Sequence, residues 1–515
     1  MGYDISDYRT IHAPYGTVDD VQTLIDQLHA KQMRILMDLV VNHTSDEHEW
    51  FKESRSSRSS PKRDWYFWRD PKYDAQGNRK EPNNWKSIFG GSAWHFDEPT
   101  QQYYLALFLP SQPDLNWTNA DMRNATHDDM RFWLDRGVDG FRIDSMNLMS
   151  KHPDLPDGKV VNDEPYQSGA EFFASGPRMH EYIREMREEV WDHYDVMTVG
   201  ELGFTKDEDS VRQYVAKDRN ELHMLFTGDI VDMDFGPTGK YERDDFHPRK
   251  LRAITDQWQL AMPKCNGWNT IYLDNHDSGR SISRYASDAP EHRAASAKML
   301  ATYLLTLSGT PFMLAGQEIG VANLGPEYDE DAYVDVEGRN HYNAVLEARG
   351  GDKSKMSDVM RELRLKARDH GRLPMQWEDI ANAGFTTAEA KPWMTINGDY
   401  VDWNVASQLD DPRSILAFWR EMLKLRKQYA DVFVYGRYTP LSEEEVGSEY
   451  VLGYEMASSE AERKAVVLLN LSGKEHRVSS SRIAGLKVLI SNQDGGLEDG
   501  AVVLQRYGSC VLITG

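Results

Sequence analysis

The stretch Met33-Arg34-Ile35-Leu36-Met37-Asp38-Leu39-Val40-Val41-Asn42-His43 decides how the rest of the chain is read. Its middle is a nearly continuous apolar run, the pattern of a strand covered on both faces in a parallel sheet. The residues before it carry helix signals. Thr17 is a capping residue, Asp20 stands near the positive end of the helix dipole, and Val21, Leu24, Ile25 and Leu28 share one face. Helix followed by apolar strand recurs along the chain. Residues 130–134 lead into 138–143, 179–191 into 196–199, Trp258 precedes 270–273, and 294–307 precede 311–315. Alternation of this kind predicts a parallel sheet, and this many units predict an α/β barrel of the (β/α)8 TIM type.

Two segments break the alternation. Residues 44–117 are too long for a loop and too polar for a barrel unit, and are expected to form an inserted subdomain. Inside it, SRSSRSSPKR at 54–63 reads as a solvated loop, not an Arg/Ser nucleic-acid tail, because the aromatic DWYFW follows at once. From about residue 433 the pattern changes to short alternating runs at 450–454, 465–470, 488–490 and 502–504. Residues 1–43 and 118–432 thus read as the barrel, 44–117 as the insert, and 433–515 as an antiparallel β-domain, with a helix at 414–428 before it.

Composition excludes several classes of function. The 515 residues carry 59 Lys and Arg against 83 Asp and Glu, a formal charge of −24, which speaks against nucleic acid as a partner. A neutral small-molecule substrate fits better, since it needs no electrostatic steering. The 14 Trp and 25 Tyr exceed what packing alone requires, and aromatic faces often line sugar sites. Cys265 and Cys510 stand far apart in no metal-ligand spacing, which points to a reducing compartment and a cytoplasmic location. Met1-Gly2-Tyr3-Asp4 shows no secretory signal. The uncharged stretch 299–316 is interrupted by Thr302, Thr306, Ser308 and Gly309-Thr310-Pro311, so it reads as helix, turn and strand and no membrane partner is expected. Oligomeric state is left open by all of this.

Active sites of barrels lie at the C-terminal ends of their strands. Those ends here read DLVVNH at 38–43, GFRID at 140–144, VGE at 199–201 and DNHD at 274–277. Four strand ends therefore present carboxylates, and two add a histidine. Asp38 lies within an apolar run and reads as a structural hydrogen-bonding group. Arg142, two residues before Asp144 on the same strand face, is placed to orient that carboxylate. Two working carboxyls suit glycoside hydrolysis, one attacking the anomeric carbon and the other protonating the leaving oxygen.

These four motifs, in this order, resemble the characteristic regions of glycoside hydrolase family 13. QPDLN at 112–116 resembles the signature of its oligo-1,6-glucosidase and α-glucosidase (maltase) branch, and GYDISDY at 2–8, PKRDWY at 61–66 and PMQW at 374–377 agree. The resemblance implies that Asp144 is the nucleophile, Glu201 the general acid/base and Asp277 a third carboxylate gripping sugar hydroxyls. It implies that Tyr3, His43, Arg142 and His276 bind the terminal glucose, and that Arg372 closes the pocket beyond it. A closed pocket implies exo-action releasing single glucose units. In this branch valine after the nucleophile accompanies α-1,6 activity, and threonine or alanine accompanies α-1,4 activity. Ser145 is small and polar like threonine, so α-1,4 substrates such as maltose are favoured, with sucrose possible and isomaltose the alternative.

Some departures from the family pattern carry expectations. In relatives an aspartate precedes GYDISDY, itself preceded by two barrel strands and their helix. The expected fold is accordingly a barrel without its first strands. The acidic partner of Arg372 is expected to be missing, as is the acidic loop that binds Ca²⁺ or Mg²⁺ in many relatives, so neither a metal site nor a cofactor is expected. Ser278-Gly279 and Leu314 also depart from the usual residues. Two classes of function follow: an α-glucosidase, or a catalytically inactive truncated relative or sugar-binding or interaction module, which the missing strands favour. Retention of all three carboxylates favours the enzyme.

Overall fold

In a computed structural model describing residues 2–237, 239–494 and 496–514, Thr17 opens helix α1 (Val18–Ala30) through a reciprocal cap. The Thr17 hydroxyl accepts the Asp20 N–H at 3.3 Å, and the Asp20 carboxylate accepts the Thr17 N–H at 2.7 Å. The chain forms two units, Met1–Gly228 with Cys265–Gly267, and Asp229–Lys264 with Trp268–Gly515.

In the first unit α1 leads to β1 (Met37–Val40), α2 (Ala120–Leu134) to β2 (Gly140–Asp144), and α3 (Met179–Glu189) to β3 (Met197–Leu202), followed by β4 (Met224–Thr227). The four strands form one parallel sheet in the order β1-β2-β3-β4. Asp38 is opposite Arg142 and Val40 opposite Asp144, while Ile143 is opposite Gly200. This register brings the strand-end acids level with one another. Gly140 makes the β2–β3 approach possible: it has φ +144°, and a Cβ there would lie 1.9 Å from the Met197 carbonyl oxygen.

The strand read from the apolar run is shorter than that run. Only Met37–Val40 are strand, and Met33 is 51% exposed. Residues 33 and 34 are exposed, and among the described residues β1 has a ladder partner on one side only.

Residues 44–117 contain a three-stranded antiparallel sheet of Trp68–Arg69, Gln102–Leu105 and Trp94–Asp97. Trp85, Trp94, Leu105 and Leu107 form its core with Phe173. The expected solvated loop at 54–63 is partly structural. Its first residues end helix Glu49–Ser56, Ser54 is buried, and the buried Arg63 guanidinium stacks 3.4 Å from the centre of the Trp68 ring.

In the second unit α4 (Pro248–Lys264), β5 (Thr270–Ile271), α5 (Pro290–Thr306) and β6 (Thr310–Pro311) continue the alternation, and β5 pairs with β6 in parallel. The uncharged stretch 299–316 falls in α5, the following turn and β6; no helix among the described residues is long and apolar enough to cross a membrane. After α6 (Val336–Ala348) comes a tight turn of 3₁₀ helix, Arg368–Arg372, and then α7 (Ile415–Gln428), capped by Ser414.

Beyond α7 the strands β7 (Arg437–Pro440), β8 (Val451–Ala457), β9 (Lys464–Asn470), β10 (Lys487–Ser491) and β11 (Ser509–Ile513) form an antiparallel sheet in the order β7-β8-β9-β11-β10. Its core holds Val451, Val466, Leu468, Cys510 and Leu512. Here the runs read from sequence correspond to strands, while β7 and β11 lie outside those runs.

Candidate active site

In the first unit the site is organised by one guanidinium. Arg142 Nη1 donates to Asp144 Oδ1 at 2.7 Å and to Asp38 Oδ1 at 2.8 Å, and Nη2 lies 2.9 Å from Glu201 Oε2. Two residues of spacing put Arg142 and Asp144 on one face of β2, and the ladder sets Asp38 beside them. Burial pulls the Arg142 pKa down, but the negative charges of Glu201, Asp144 and Asp38 outweigh it and hold the group firmly protonated. The two carboxyl oxygens thus share one planar guanidinium fork. Tyr3 completes this side, its hydroxyl 3.4 Å from Arg142 Nη1 and its ring 5.6 Å below the guanidinium.

Ser145 follows Asp144 with φ +45° and ψ +36°, a left-handed conformation costly for any residue but glycine. That turn aims its backbone N–H at Glu201 Oε2, 3.1 Å away. Glu201 is therefore held on one oxygen by a side chain and by a strained backbone amide. No local sequence signal announces this.

His43 stands just after β1. Its Nε2–H donates to the Tyr3 carbonyl at 2.9 Å, and Nδ1 accepts from Asn42 at 3.3 Å. Burial pushes its pKa down to about 4, so the ring is a neutral donor at physiological pH. Asn42 in turn belongs to a buried ionic knot. The Lys151 ammonium makes contacts of 2.7 Å each with Asp114, Asn42 Oδ1 and the Leu148 carbonyl, and the side chains of Lys151 and Asp114 are wholly buried. Asp114 also accepts the Leu107 N–H at 3.0 Å. The QPDLN and DLVVNH motifs thus meet through charges buried behind His43.

The second unit carries a separate group. Asn275 accepts the Asp277 N–H at 2.9 Å, which shapes the loop that presents Asp277. Arg372 Nη2 donates to Asp277 Oδ1 at 2.7 Å, its Nε to the His276 carbonyl at 2.9 Å, and its Nη1 to Asp335 at 2.6 Å. Arg372 thus has acidic partners within this unit. Arg368 Nε donates to Asp277 Oδ1 at 2.9 Å, and Lys240 donates to the Asp277 carbonyl at 3.0 Å while pairing with Glu337 at 2.8 Å. Burial alone would raise the Asp277 pKa; Arg368, His276, Arg372 and Lys240 together bring it far below the ordinary carboxylate range.

Residues 1–436 match the alpha-amylase catalytic-domain family. The chain belongs to this family. It is 43% identical to an alpha-glucosidase of Schizosaccharomyces pombe over 92% of this chain and 81% of the relative. It is 42% identical to an oligo-1,6-glucosidase of Parageobacillus thermoglucosidasius over 96% and 85%. Among solved structures, the trehalose-6-phosphate hydrolase of Bacillus licheniformis superposes with a TM-score of 0.90 at 38% identity, covering 100% of this chain and 89% of that one. The chain is therefore a family 13 glycoside hydrolase with the α/β, TIM-barrel-type fold and a C-terminal antiparallel β-domain.

In this family member the structure brings Tyr3, His43, Arg142, Asp144 and Glu201 together in the first unit, and His276, Asp277 and Arg372 together in the second. Sequence reading passes over Lys151, Lys240, Asp335 and Arg368.

Proposed function

We propose that this chain is a retaining, exo-acting α-glucosidase that removes terminal α-linked glucose from maltose-type oligosaccharides. Asp144 attacks the anomeric carbon to form a β-glucosyl ester, and Glu201 protonates the leaving oxygen and then activates water. The proposed sugar-binding side chains are His43, Tyr3 and Arg142 in the first unit and Asp277, His276 and Arg372 in the second, with Arg372 limiting the enzyme to terminal glucose. This chemistry uses only side chains and water. The observation that carries the reading is the single guanidinium of Arg142 holding both Asp144 and Glu201. One cation thus bridges the carboxyl read as nucleophile and the carboxyl read as acid/base, and the anomer of the first product tests whether they work by double displacement.

Residues 1–43 and 118–432 form the catalytic barrel in this reading, 44–117 the inserted subdomain and 433–515 the β-domain. The cytoplasm is its place of work, which two buried free thiols, Cys265 and Cys510, support.

Ser145 favours α-1,4 substrates. Relatives at 42–45% identity named oligo-1,6-glucosidase give isomaltose cleavage as the second reading. A related solved structure, isomaltulose synthase from Erwinia rhapontici, holds sucrose as its natural substrate, which supports including sucrose among the candidates.

The test is hydrolysis of maltose, isomaltose, sucrose and a chromogenic α-glucoside, with the product anomer followed by NMR. Maltose is expected to turn over fastest, with α-glucose as the first product. Asp144→Gly should lose about 10⁴-fold or more in kcat, and azide should restore turnover as β-glucosyl azide. Dominant isomaltose turnover overturns the linkage preference; a β-anomer product overturns the mechanism.

A further inference from the structure

Asp277 is held by more than the residue expected to sit beside it. Arg368 and Arg372 both donate to its Oδ1, Arg368 through Nε at 2.9 Å and also through Nη2, Arg372 through Nη2 at 2.7 Å. Both guanidinium groups also face Asp335 Oδ2, at 3.8 Å from Arg368 and 2.6 Å from Arg372. Two acids and two bases thus alternate around a closed ring. The ring is anchored behind Asp335, whose other oxygen caps α6 by accepting the Glu337 N–H at 3.0 Å. Asp369, between the two arginines in sequence, accepts the backbone N–H groups of Val334 and Asp335 at 2.7 Å and 3.0 Å.

The arginine-bearing turn can come this close because residue 371 is glycine. A Cβ there would lie 2.6 Å from the Asn275 carbonyl and 2.9 Å from that of Ser278, the loop that carries Asp277. The side chain of Arg368 is only 10% exposed and that of Asp335 2%, whereas Asp277 keeps 34% exposed. The rigid part of the ring therefore lies inside, and its accessible member is the carboxylate.

We propose that Arg368 is a positioning residue for substrate: with Asp335 behind it, it fixes the rotamer of Asp277 so that Oδ1 is committed to the arginines and Oδ2 meets the hydroxyls of the terminal glucose. This rests on the α-glucosidase reading of Asp277. One arginine leaves a carboxylate free to swing about its contact; a second donor on the same oxygen removes that freedom. A carboxylate already in place does not reorganise when the sugar distorts, so the contact strengthens in the transition state and appears in kcat more than in KM.

The experiment compares wild type, R368K and R368A with a chromogenic α-glucoside, alongside thermal unfolding of each. R368A is expected to lose roughly 10- to 100-fold in kcat, the value of a charge-assisted hydrogen bond, with KM changed less than about threefold. Added guanidinium should recover at least about tenfold of that loss, which a structural role would not allow. R368K, with charge but no planar fork, should stay well below wild type. If R368A does not fold, R368K decides alone: a kcat equal to wild type overturns the assignment, as does a folded R368A at wild-type kcat or one that guanidinium leaves unrescued. An inactive wild type overturns the α-glucosidase reading, and this assignment with it.

Discussion

Replacing Lys151 by methionine removes the cation from a buried knot while keeping most of its volume. In the native chain the three ammonium hydrogens meet three acceptors, Asp114, Asn42 Oδ1 and the Leu148 carbonyl, each at 2.7 Å. The variant leaves the Asp114 carboxylate buried with two neutral donors, the Leu107 N–H at 3.0 Å and Asn42 Nδ2 at 3.2 Å. Breaking a buried pair from one side costs about 3–5 kcal/mol. The orphaned Asn42 and Leu148 oxygens add about 1 kcal/mol, so the expected loss is about 4–6 kcal/mol. Making the acid neutral as well, in the K151M/D114N pair, should return about 2–4 kcal/mol of it. A chain of two units is not a two-state unfolder, so the measurement is hydrogen exchange in peptides spanning 38–44, 105–117 and 148–152. Because Asn42 also steadies His43, the surviving K151M protein should show a raised KM for a chromogenic α-glucoside. A loss below about 1 kcal/mol, or a double variant no better than the single one, refutes the account of the knot.

Acid should weaken the fold through its buried histidines. Burial pushes His43, His48 and His127 down to about 4 and His370 to about 3. The unfolded chain takes up their protons near pH 6.5 and the native chain does not, so this stability is complete above pH 6.5 and is lost as pH falls toward 4, at about 3 kcal/mol per ring. Asp129, raised to about 6 by burial, works in the opposite sense, as do Asp46, Asp256, Asp274 and Asp369, which burial also raises. The eight histidines that burial lowers, these four with His95, His223, His341 and His476, outnumber them. Urea midpoints that stay flat between pH 7.5 and 4.5 would contradict this. At Ser145, glycine accepts the φ of +45° and keeps the N–H on Glu201, so Ser145→Gly should retain kcat within about threefold; Ser145→Pro loses both the conformation and the donor and should be inactive. Equal activity of the two variants removes any role for that amide. Gly140→Ala drives a methyl group to 1.9 Å from the Met197 carbonyl and should cost about 3 kcal/mol or more, read as lost soluble yield and lost exchange protection in β2 and β3. Wild-type protection there would mean the strands separate freely.

How much of this is legible in the sequence depends on the range over which each feature is set. The Thr17–Asp20 cap, the parallel strands and the acids at their ends follow from neighbours a few residues apart, and so does the pairing of Arg142 with Asp144. The extent of β1 is not local, because burial of Met33 depends on what lies beside the strand and not on its own apolar character. The cationic half of the site is the least legible. Arg368 and Arg372 reach Asp277 across 91 and 95 residues, and Lys151 reaches Asn42 across 109. A carboxylate on a short stem is placed by its own strand, so its position can be read from the strand's pattern. An arginine or lysine carries its donors on a long, adaptable stem, and its partner is chosen by the fold. The acids that resemble the reacting groups can therefore be named from sequence, while the groups that hold them still emerge only once distant segments are packed together. Substitutions at Arg368 and Lys151 are the ones that test the structure and not the motif.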